Sequence, residues 1–297
     1  MTSRIDTLKF YEYCRIPVDE LENHPDSKIT FKLKQTALEV DRCAANMMAD
    51  EVIENNKTDR ITRWVLPVGF HDQVHLFVDR VNRERISLKN VFIITMDDYL
   101  DWNCRPYPEG HQFNTSARFE RVFYDKIDPE LTVPANQRFR PLYNNLDLVD
   151  NLVDSWGGLD TVYGGLGFRG LVAFCEAPYS PWFTITEDEY CQMKTRIYPL
   201  NDDTTIAYAV RNLGGLTHMR PPLAISIGMK SMLKTKRLVL TSTTGEWKRA
   251  AVRALMFLDP TVEYPATLFP NKVDEVILVC DRNTAEAPIQ SDNLNSW

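Results

Sequence analysis

The chain has 297 residues, of which 44% are hydrophobic and 25% charged, and its 34 basic and 41 acidic residues give a net charge of −7. These values are ordinary for a globular protein with a sizeable core. The acidic balance and the lack of a Lys/Arg block argue against a nucleic-acid-binding surface, although a few cations can still hold a small anion in one pocket.

No apolar run approaches 18 residues, so we expect no membrane contact through a spanning segment. The six cysteines are scattered without a CxxC pair, which favours a reducing compartment. The first residues carry acidic side chains and no apolar segment, so no secretory signal is expected. Together these features predict a cytoplasmic protein.

Apolar periodicity divides the chain into alternating elements after an irregular N-terminal arm at 1–30. Helices are predicted at 31–55, 71–82, 115–124, 146–156 and 246–257. Strands are predicted at 64–68, 91–96, 160–163, 223–227, 237–241 and 273–280. Such alternation predicts an α/β fold with three layers and a doubly wound, mainly parallel, Rossmann-like sheet. We expect one domain over 31–297, with a lid insertion near 181–222.

The segment Tyr163–Pro178, YGGLGFRGLVAFCEAP, is the most informative stretch for chemistry. Its glycines, Gly165 and Gly167 among them, let backbone approach a ligand closely, and its apolar run ends in the carboxylate Glu176. Open α/β folds place their chemistry at this kind of strand end. A tight structural turn with a solvated Glu176 explains the stretch equally well.

Two adjacent acids, Asp97 and Asp98, follow the predicted strand at 91–96. A carboxylate at a strand end can move protons to and from a substrate carbon if it lies within about 3 Å of that carbon. The alternative is that Asp97 caps a helix or forms a turn, with Asp98 as its solvated partner.

Five segments together resemble one family from residue 91 to about 287. TMDDYL (95–100) is similar to the family's MDEY motif, and YGGLGFRGLVAFCEAP to its GGxGxDGHxAFNEP loop. The other segments are KTRIYPLNDDT (194–204), LAISIG (223–228) and GEWKRAAVRAL (245–255). The family is that of the glucosamine-6-phosphate deaminases/isomerases, whose fold is shared by 6-phosphogluconolactonases.

The resemblance implies an aldose–ketose interconversion with proton transfer by Asp97 and auxiliary acid–base work by Glu176. The family opens the sugar ring with a His that is oriented by an Asp and a Glu, and only Glu176 of this trio matches. Leu171 stands where the resemblance expects the His, and Arg169 where it expects the Asp. Leucine exchanges no proton and arginine is no base, so Arg169 is instead predicted to clamp an anionic substrate group.

The phosphate side of the resemblance is altered as well. In the loop Leu66–Gln73 only Gly69 remains of the family's flexible set, and Phe70 adds bulk. Lys248 matches the family's phosphate-contacting Lys, and Arg211 lies one residue from the position of a lid Arg. The full set of predicted substrate contacts is Gly69, Asp98, Gly165, Gly167, Arg169, Arg211 and Lys248.

Other reactive side chains have plainer explanations. His71 and His75 have the i,i+4 spacing of metal ligands but lack a third ligand, so a surface helix is favoured. His111 matches a family His but is equally well a capping residue, and Cys175 is more often a buried apolar side chain than a nucleophile. We expect no metal and no redox cofactor.

Three functions are compatible with these residues. The first is a sugar isomerase or deaminase-like enzyme with an altered substrate, a sugar phosphate or sugar acid that is already open-chain or is not phosphorylated like glucosamine 6-phosphate. The second is a binding protein or sensor that has kept the pocket and lost catalysis. The third is a sugar lactonase, which Leu171 disfavours because the family expectation there is again a His. By resemblance alone, we expect a homo-oligomer.

Overall fold

The computed structural model describes residues 5–69, 72–178 and 185–289, and its centre is a sheet of seven parallel strands in the order β1-β10-β9-β6-β2-β3-β5. These strands are β1 (Thr30–Lys34), β2 (Thr62–Leu66), β3 (Val91–Thr95), β5 (Arg138–Phe139), β6 (Leu159–Gly165), β9 (Thr235–Ser242) and β10 (Glu275–Asp281). A small antiparallel sheet has the order β4-β8-β7 and comprises β4 (Asp97–Leu100), β7 (Arg196–Pro199) and β8 (Leu223–Ser226).

Helices cover both faces of the large sheet. They are α1 (Thr7–Tyr13), α2 (Ala37–Asn56), α3 (Asp72–Glu84), α4 (Thr115–Val122), α5 (Asp147–Ser155), α6 (Glu187–Cys191), α7 (Asp202–Asn212), α8 (Met229–Met232), α9 (Arg249–Phe257) and α10 (Arg282–Ala285).

Alternation along the central strands divides the buried side chains into two cores. Trp64 and Tyr163 pack with α2, α3 and α4 on one face, whereas Val65 and Val162 pack with α5 and α9 on the other. This period of two is what a strand buried on both faces requires. The predicted α/β class, with a mainly parallel, doubly wound sheet in a single domain, is confirmed.

Three element predictions were wrong in detail. The predicted helix at 31–55 begins only at Ala37, because residues 30–34 form β1 and pair with β10. The predicted strand at 223–227 lies in the small antiparallel sheet rather than in the main one. The short strands β4 and β7 were not predicted, since four residues carry too little periodicity to mark a strand.

The N-terminal arm is attached to the body of the domain. In α1, Tyr13 stacks on Phe257 with ring centroids 4.7 Å apart. The fully buried Arg253 donates to the backbone oxygens of Ile16 at 2.8 Å and Ala285 at 2.7 Å. The segment predicted as a lid lies partly outside the described residues, and its described part, 185–222, contains α6, β7 and α7.

Within the described residues, no helix combines the length and apolar character needed to cross a bilayer.

Candidate active site

The predicted site residues meet at the edge where the parallel strands end. Gly69 follows β2, Asp97 follows β3, the loop with Glu176 follows β6, and Lys248 follows β9. Since β9, β6, β2 and β3 are neighbours in the sheet, these four chain segments lie side by side. This edge is where open α/β sheets bind their ligands.

The loop after β6 is folded tightly around Leu171. Gly167 donates its backbone N–H to the Leu171 carbonyl at 2.8 Å, and Gly170 turns the chain with a φ of 64°. A Cβ on Gly167 would lie 2.3 Å from Leu171 Cγ, so only glycine fits there. Leu171 is thus a buried packing residue, whereas no atom lies within 4 Å of a Cβ built on Gly165, which leaves that backbone open.

Asp97 is placed beside this loop by the small sheet. It is the first residue of β4 and pairs with Ser226 of β8, whose hydroxyl accepts the backbone N–H of Phe174 at 3.1 Å. Burial, with a smaller contribution from the neighbouring charge of Asp98, raises the pKa of Asp97 to about 8. Burial thus favours the protonated form of the Asp97 carboxyl.

Asp98 lies on the opposite face of β4 from Asp97, and its carboxylate accepts hydrogen bonds from groups of the protein itself. Its carboxylate accepts the backbone N–H groups of Tyr99 at 2.9 Å, Thr115 at 3.0 Å and Ser116 at 3.2 Å, and the Thr115 hydroxyl at 2.6 Å. These bonds hold the N-terminus of α4, so Asp98 is not the solvated neighbour that the alternative explanation of the two acids predicts. With these donors in place, Asp98 positions α4 rather than a ligand.

Glu176 is 7% exposed and is held by the segment after β7. It accepts the Thr204 hydroxyl at 3.0 Å and the Asn201 backbone N–H at 3.4 Å. Burial nevertheless raises the pKa of Glu176 to about 7. The site therefore holds two carboxyls, Asp97 and Glu176, whose pKa values lie near neutrality, as acid–base catalysis requires.

Arg169 has an internal partner that the sequence did not reveal. Its Nη1 lies 3.3 Å from Oδ2 of Asp203, the second residue of α7. Both side chains are about 30% exposed, so the pair is worth little to stability. The Asp203 carboxylate already compensates the Arg169 charge. Arg169 is therefore less available to bind an anionic group of a substrate, as was predicted for it.

Two cations converge on Trp247 without carboxylate partners. The Lys248 ammonium lies 5.2 Å and the Arg211 guanidinium 5.8 Å from the centre of its ring, and Phe168 stacks on the same indole at 5.6 Å. Within the described part of the chain, neither cation forms an ion pair. Burial first, and then the charge of Arg211, lowers the pKa of Lys248 to about 7. Such a cluster favours an incoming anion.

Sequence reasoning missed two hydroxyls in the segment that leads from β9 to Lys248. Ser242 ends β9 and Thr244 precedes the turn at Gly245, which has a φ of 86° and leads into α9. The Oγ of Ser242 and the Oγ1 of Thr244 are buried and have no hydrogen-bond partner among the described residues. Buried hydroxyls normally find one. The Ser/Thr-rich run before a helix was the available signal.

The end of β2 has a different character from the family's phosphate loop. Gly69 is exposed, and Phe70 and His71 lie outside the described residues. The buried carboxyl of Asp41 lies near the backbone N–H of Gln73 in the first turn of α3, and burial, with the neighbouring charge of Asp72, raises the pKa of Asp41 to about 6. A carboxyl of the protein thus lies close to a helix N-terminus that could otherwise receive a phosphate.

The plainer explanations fit three other side chains. Cys175 contacts the Tyr198 hydroxyl at 3.5 Å, and burial raises the pKa of its thiol to about 12. His111 accepts the Phe113 backbone N–H at 3.2 Å, and His75 is exposed on α3. Within 5–69, 72–178 and 185–289, no three His, Cys, Asp or Glu side chains are grouped to hold a metal.

Anion binding at Lys248 is expected to weaken as the pH rises. Only protonated Lys248 attracts an anion, and its free form loses the proton around pH 7. The affinity for sulfate, whose charge is constant over this range, should fall about tenfold between pH 6 and 9 in calorimetric titrations. Lys248→Gln should remove most of this pH dependence. A wild-type affinity for sulfate that does not change with pH would contradict the assignment of Lys248 as the anion-binding group.

The sequence is similar to those of known glucosamine-6-phosphate deaminases. The chain is 24% identical over 245 residues to a glucosamine-6-phosphate deaminase of Clostridium botulinum (strain Alaska E43 / Type E3), with 82% of this chain and 90% of the relative covered. It is 26% identical over 260 residues to glucosamine-6-phosphate deaminase 1 of Bacillus subtilis (strain 168), with 84% and 96% covered. No protein-family model matches the chain.

Two solved structures show the same fold. A monomeric glucosamine-6-phosphate deaminase superposes with a TM-score of 0.67 at 22% identity, covering 86% of this chain and 98% of its own. A 6-phosphogluconolactonase from Trypanosoma brucei superposes with a TM-score of 0.58 at 12% identity, covering 87% and 98%. The chain is therefore similar in sequence to glucosamine-6-phosphate deaminases and has the fold that these enzymes share with 6-phosphogluconolactonases.

Proposed function

We propose that the protein is an enzyme of carbohydrate metabolism that moves a proton between adjacent carbons of an open-chain sugar carrying an anionic group. The observation that carries this proposal is the pairing of Asp97 and Glu176, two carboxyls with raised pKa values, with the unpaired cations Lys248 and Arg211 at the same sheet edge. The relatives' names supply the reaction class, isomerisation with or without deamination.

Asp97 is the group that moves the carbon-bound proton. In its ionised form it takes the proton from C2 of the aldose, the C2–H electron pair becomes the C1–C2 double bond, and the π pair of the C1 carbonyl moves to the C1 oxygen of the resulting enediolate. Asp97 then returns the proton to C1, which yields the ketose. For a 2-amino sugar the same transfer leaves an imine at C2, which water converts to the ketose with release of ammonia.

Glu176 exchanges protons with the oxygen atoms of the same substrate. With a pKa near 7 it can give a proton to the C1 oxygen and take one from the C2 oxygen as the double bond shifts. Because Leu171 fills the position of the ring-opening His, no described group opens a sugar ring from that side. The substrate is accordingly expected to enter in its open-chain form.

The anionic group is expected at Lys248 and Arg211. The unpartnered hydroxyls of Ser242 and Thr244 add two donors beside these cations, and Trp247 offers an apolar face to the carbon chain. The open backbone at Gly165 and the exposed Gly69 stay predicted substrate contacts. Arg169 stays a candidate only if the substrate displaces Asp203.

A panel of ligands and reactions tests this proposal against the two alternatives. Calorimetry with fructose 6-phosphate, glucosamine 6-phosphate and the unphosphorylated sugars should show at least a tenfold preference for the phosphate esters. Interconversion or ammonia release supports an isomerase or deaminase. Hydrolysis of 6-phosphogluconolactone would support a lactonase instead. Tight binding without turnover would support a sensor, and equal affinity for phosphorylated and unphosphorylated sugars would reject the anion site.

The cytoplasm is the proposed location. Self-association likewise stays a prediction, and one solved relative is described as monomeric. Sedimentation of the purified protein decides between one copy and several.

A further inference from the structure

Arg220 is a buried cation whose role none of the family motifs explains. It is 6% exposed, and its Nη1 donates to the backbone oxygen of Thr204 at 2.5 Å. Its guanidinium lies 4.5 Å from the ring centre of Tyr208 and 5.7 Å from that of Tyr99. Its Nε has no acceptor and no carboxylate lies within ion-pair distance of it in the part of the chain that the structure describes, although its charge acts on the carboxyl of Glu176.

The neighbours of Arg220 place it at the end of the site that holds both carboxyls. Thr204 receives Arg220 on its backbone oxygen and donates its hydroxyl to Glu176. The charges of Asp97 and Arg220 both act on the Tyr99 hydroxyl. Because Asp97 and Tyr99 are two residues apart in β4, their side chains share a face of the strand.

A buried guanidinium without a counter-charge destabilises the folded chain. Asp97 and Glu176 do not fully supply that counter-charge at neutral pH, because burial favours their protonated forms. The site thus contains a fixed positive charge that an incoming anion would neutralise. Removal of a carbon-bound proton creates such an anion on the two oxygens next to the reacting carbons.

The other arginines of the site interact with other side chains. Arg169 pairs with Asp203, and Arg211 belongs to the cluster around Trp247. Thr204, Tyr208 and Arg211 follow one another at i, i+4 and i+7 on a single face of α7, so this face spans about 10 Å from the Arg220 end to the Arg211 end. An extended five- or six-carbon sugar phosphate has a similar length.

We propose that Arg220 binds the enediolate oxygens that form when Asp97 removes the substrate proton. The inference rests on the proposed function and names a further catalytic residue for it. A guanidinium suits this task, because its planar fork matches two oxygens that share one negative charge. A charge placed there before the reaction stabilises the intermediate without any rearrangement.

Two matched ligands test the role of Arg220 by binding alone. Arabinonate 5-phosphate carries a carboxylate whose two oxygens mimic the enediolate, and arabinitol 5-phosphate has a neutral alcohol in its place. Wild-type protein should bind the carboxylate at least about tenfold more tightly. Arg220→Gln should erase that preference and leave the affinity for the alcohol within about threefold. Lys248→Gln should weaken both ligands by the same factor.

The outcomes separate this inference from the proposed function. If neither ligand binds wild-type protein, the anion site and the proposed function both fail. If both bind equally, or if Arg220→Gln keeps the preference, only the role of Arg220 is overturned. Should Arg220→Gln not fold, Arg220→Lys replaces it. This variant keeps the charge but loses the fork, so we expect it to lose most of the preference, and an unchanged preference would contradict the proposal.

Discussion

Asp97→Asn is expected to slow transfer of the carbon-bound proton by about 10²–10⁴-fold, the usual contribution of a positioned acid–base group. Asparagine keeps the shape of the side chain and its place at the start of β4, but it cannot accept the proton. The affinity for the sugar phosphate should stay within about threefold, because we propose that the anionic end binds at Lys248 rather than at Asp97. Steady-state kinetics with fructose 6-phosphate and calorimetry on the same samples measure both quantities.

Asp98→Asn is the matched control for this substitution. It makes the same chemical change one residue further along, on the face of β4 that holds α4. The folded fraction of this variant should transfer protons at close to the wild-type rate. An Asp97→Asn variant as active as Asp98→Asn would remove Asp97 from the mechanism.

The two adjacent acids are also expected to have opposite effects on stability. Asp97→Asn should raise the free energy of unfolding at pH 8 by about 2–4 kcal/mol, whereas Asp98→Ala should lower it by about 2 kcal/mol. Asp98→Ala leaves the first N–H groups of α4 without their acceptor. Asp97→Asn relieves the burial of an ionising carboxyl, a common cost of keeping a reactive group in place.

The sign of the Asp97 effect follows from its two pKa values. In the folded chain its pKa is about 8, and in the unfolded chain it is about 3.9. Between these values the folded state keeps a proton that the unfolded state has released. The free energy of unfolding is therefore not reduced by Asp97 below pH 4, and it falls as the pH rises towards 8. Urea titrations should show the variant and the wild type converging at pH 4. A difference that does not grow with pH would contradict the raised pKa.

Much of the fold could be predicted because each strand of a doubly wound sheet has a recognisable pattern in its own short stretch of sequence. The runs at 64–68, 91–96 and 237–241 are apolar, short and bounded by turns, which buried parallel strands require. Since such strands end at one edge, the placement of Asp97, the Glu176 loop and Lys248 near one another followed from order alone. The small antiparallel sheet did not follow, because its strands pair over long separations in sequence.

The missing parts of the site depend on contacts between distant residues. Nothing near Arg169 in sequence shows that Asp203 of α7 would reach it, and nothing near Arg220 shows that it would be buried between Tyr99 and Tyr208. Asp97 and Asp98 look alike in sequence, yet β4 turns one towards the site and the other towards α4. Burial, which shifts the pKa values of Asp97, Glu176 and Lys248, is likewise a property of the folded chain.

The most direct test of the account is solvent exchange at the substrate carbon. Wild-type protein and fructose 6-phosphate are incubated in deuterated water, and proton NMR follows the C1 hydrogens of the ketose while line broadening reports binding. If Asp97 transfers a proton as proposed, deuterium should replace one C1 hydrogen at a rate proportional to protein concentration, and Asp97→Asn should lose this exchange. Clear binding with no deuterium at C1 would contradict the account and leave a protein that binds the sugar without acting on it.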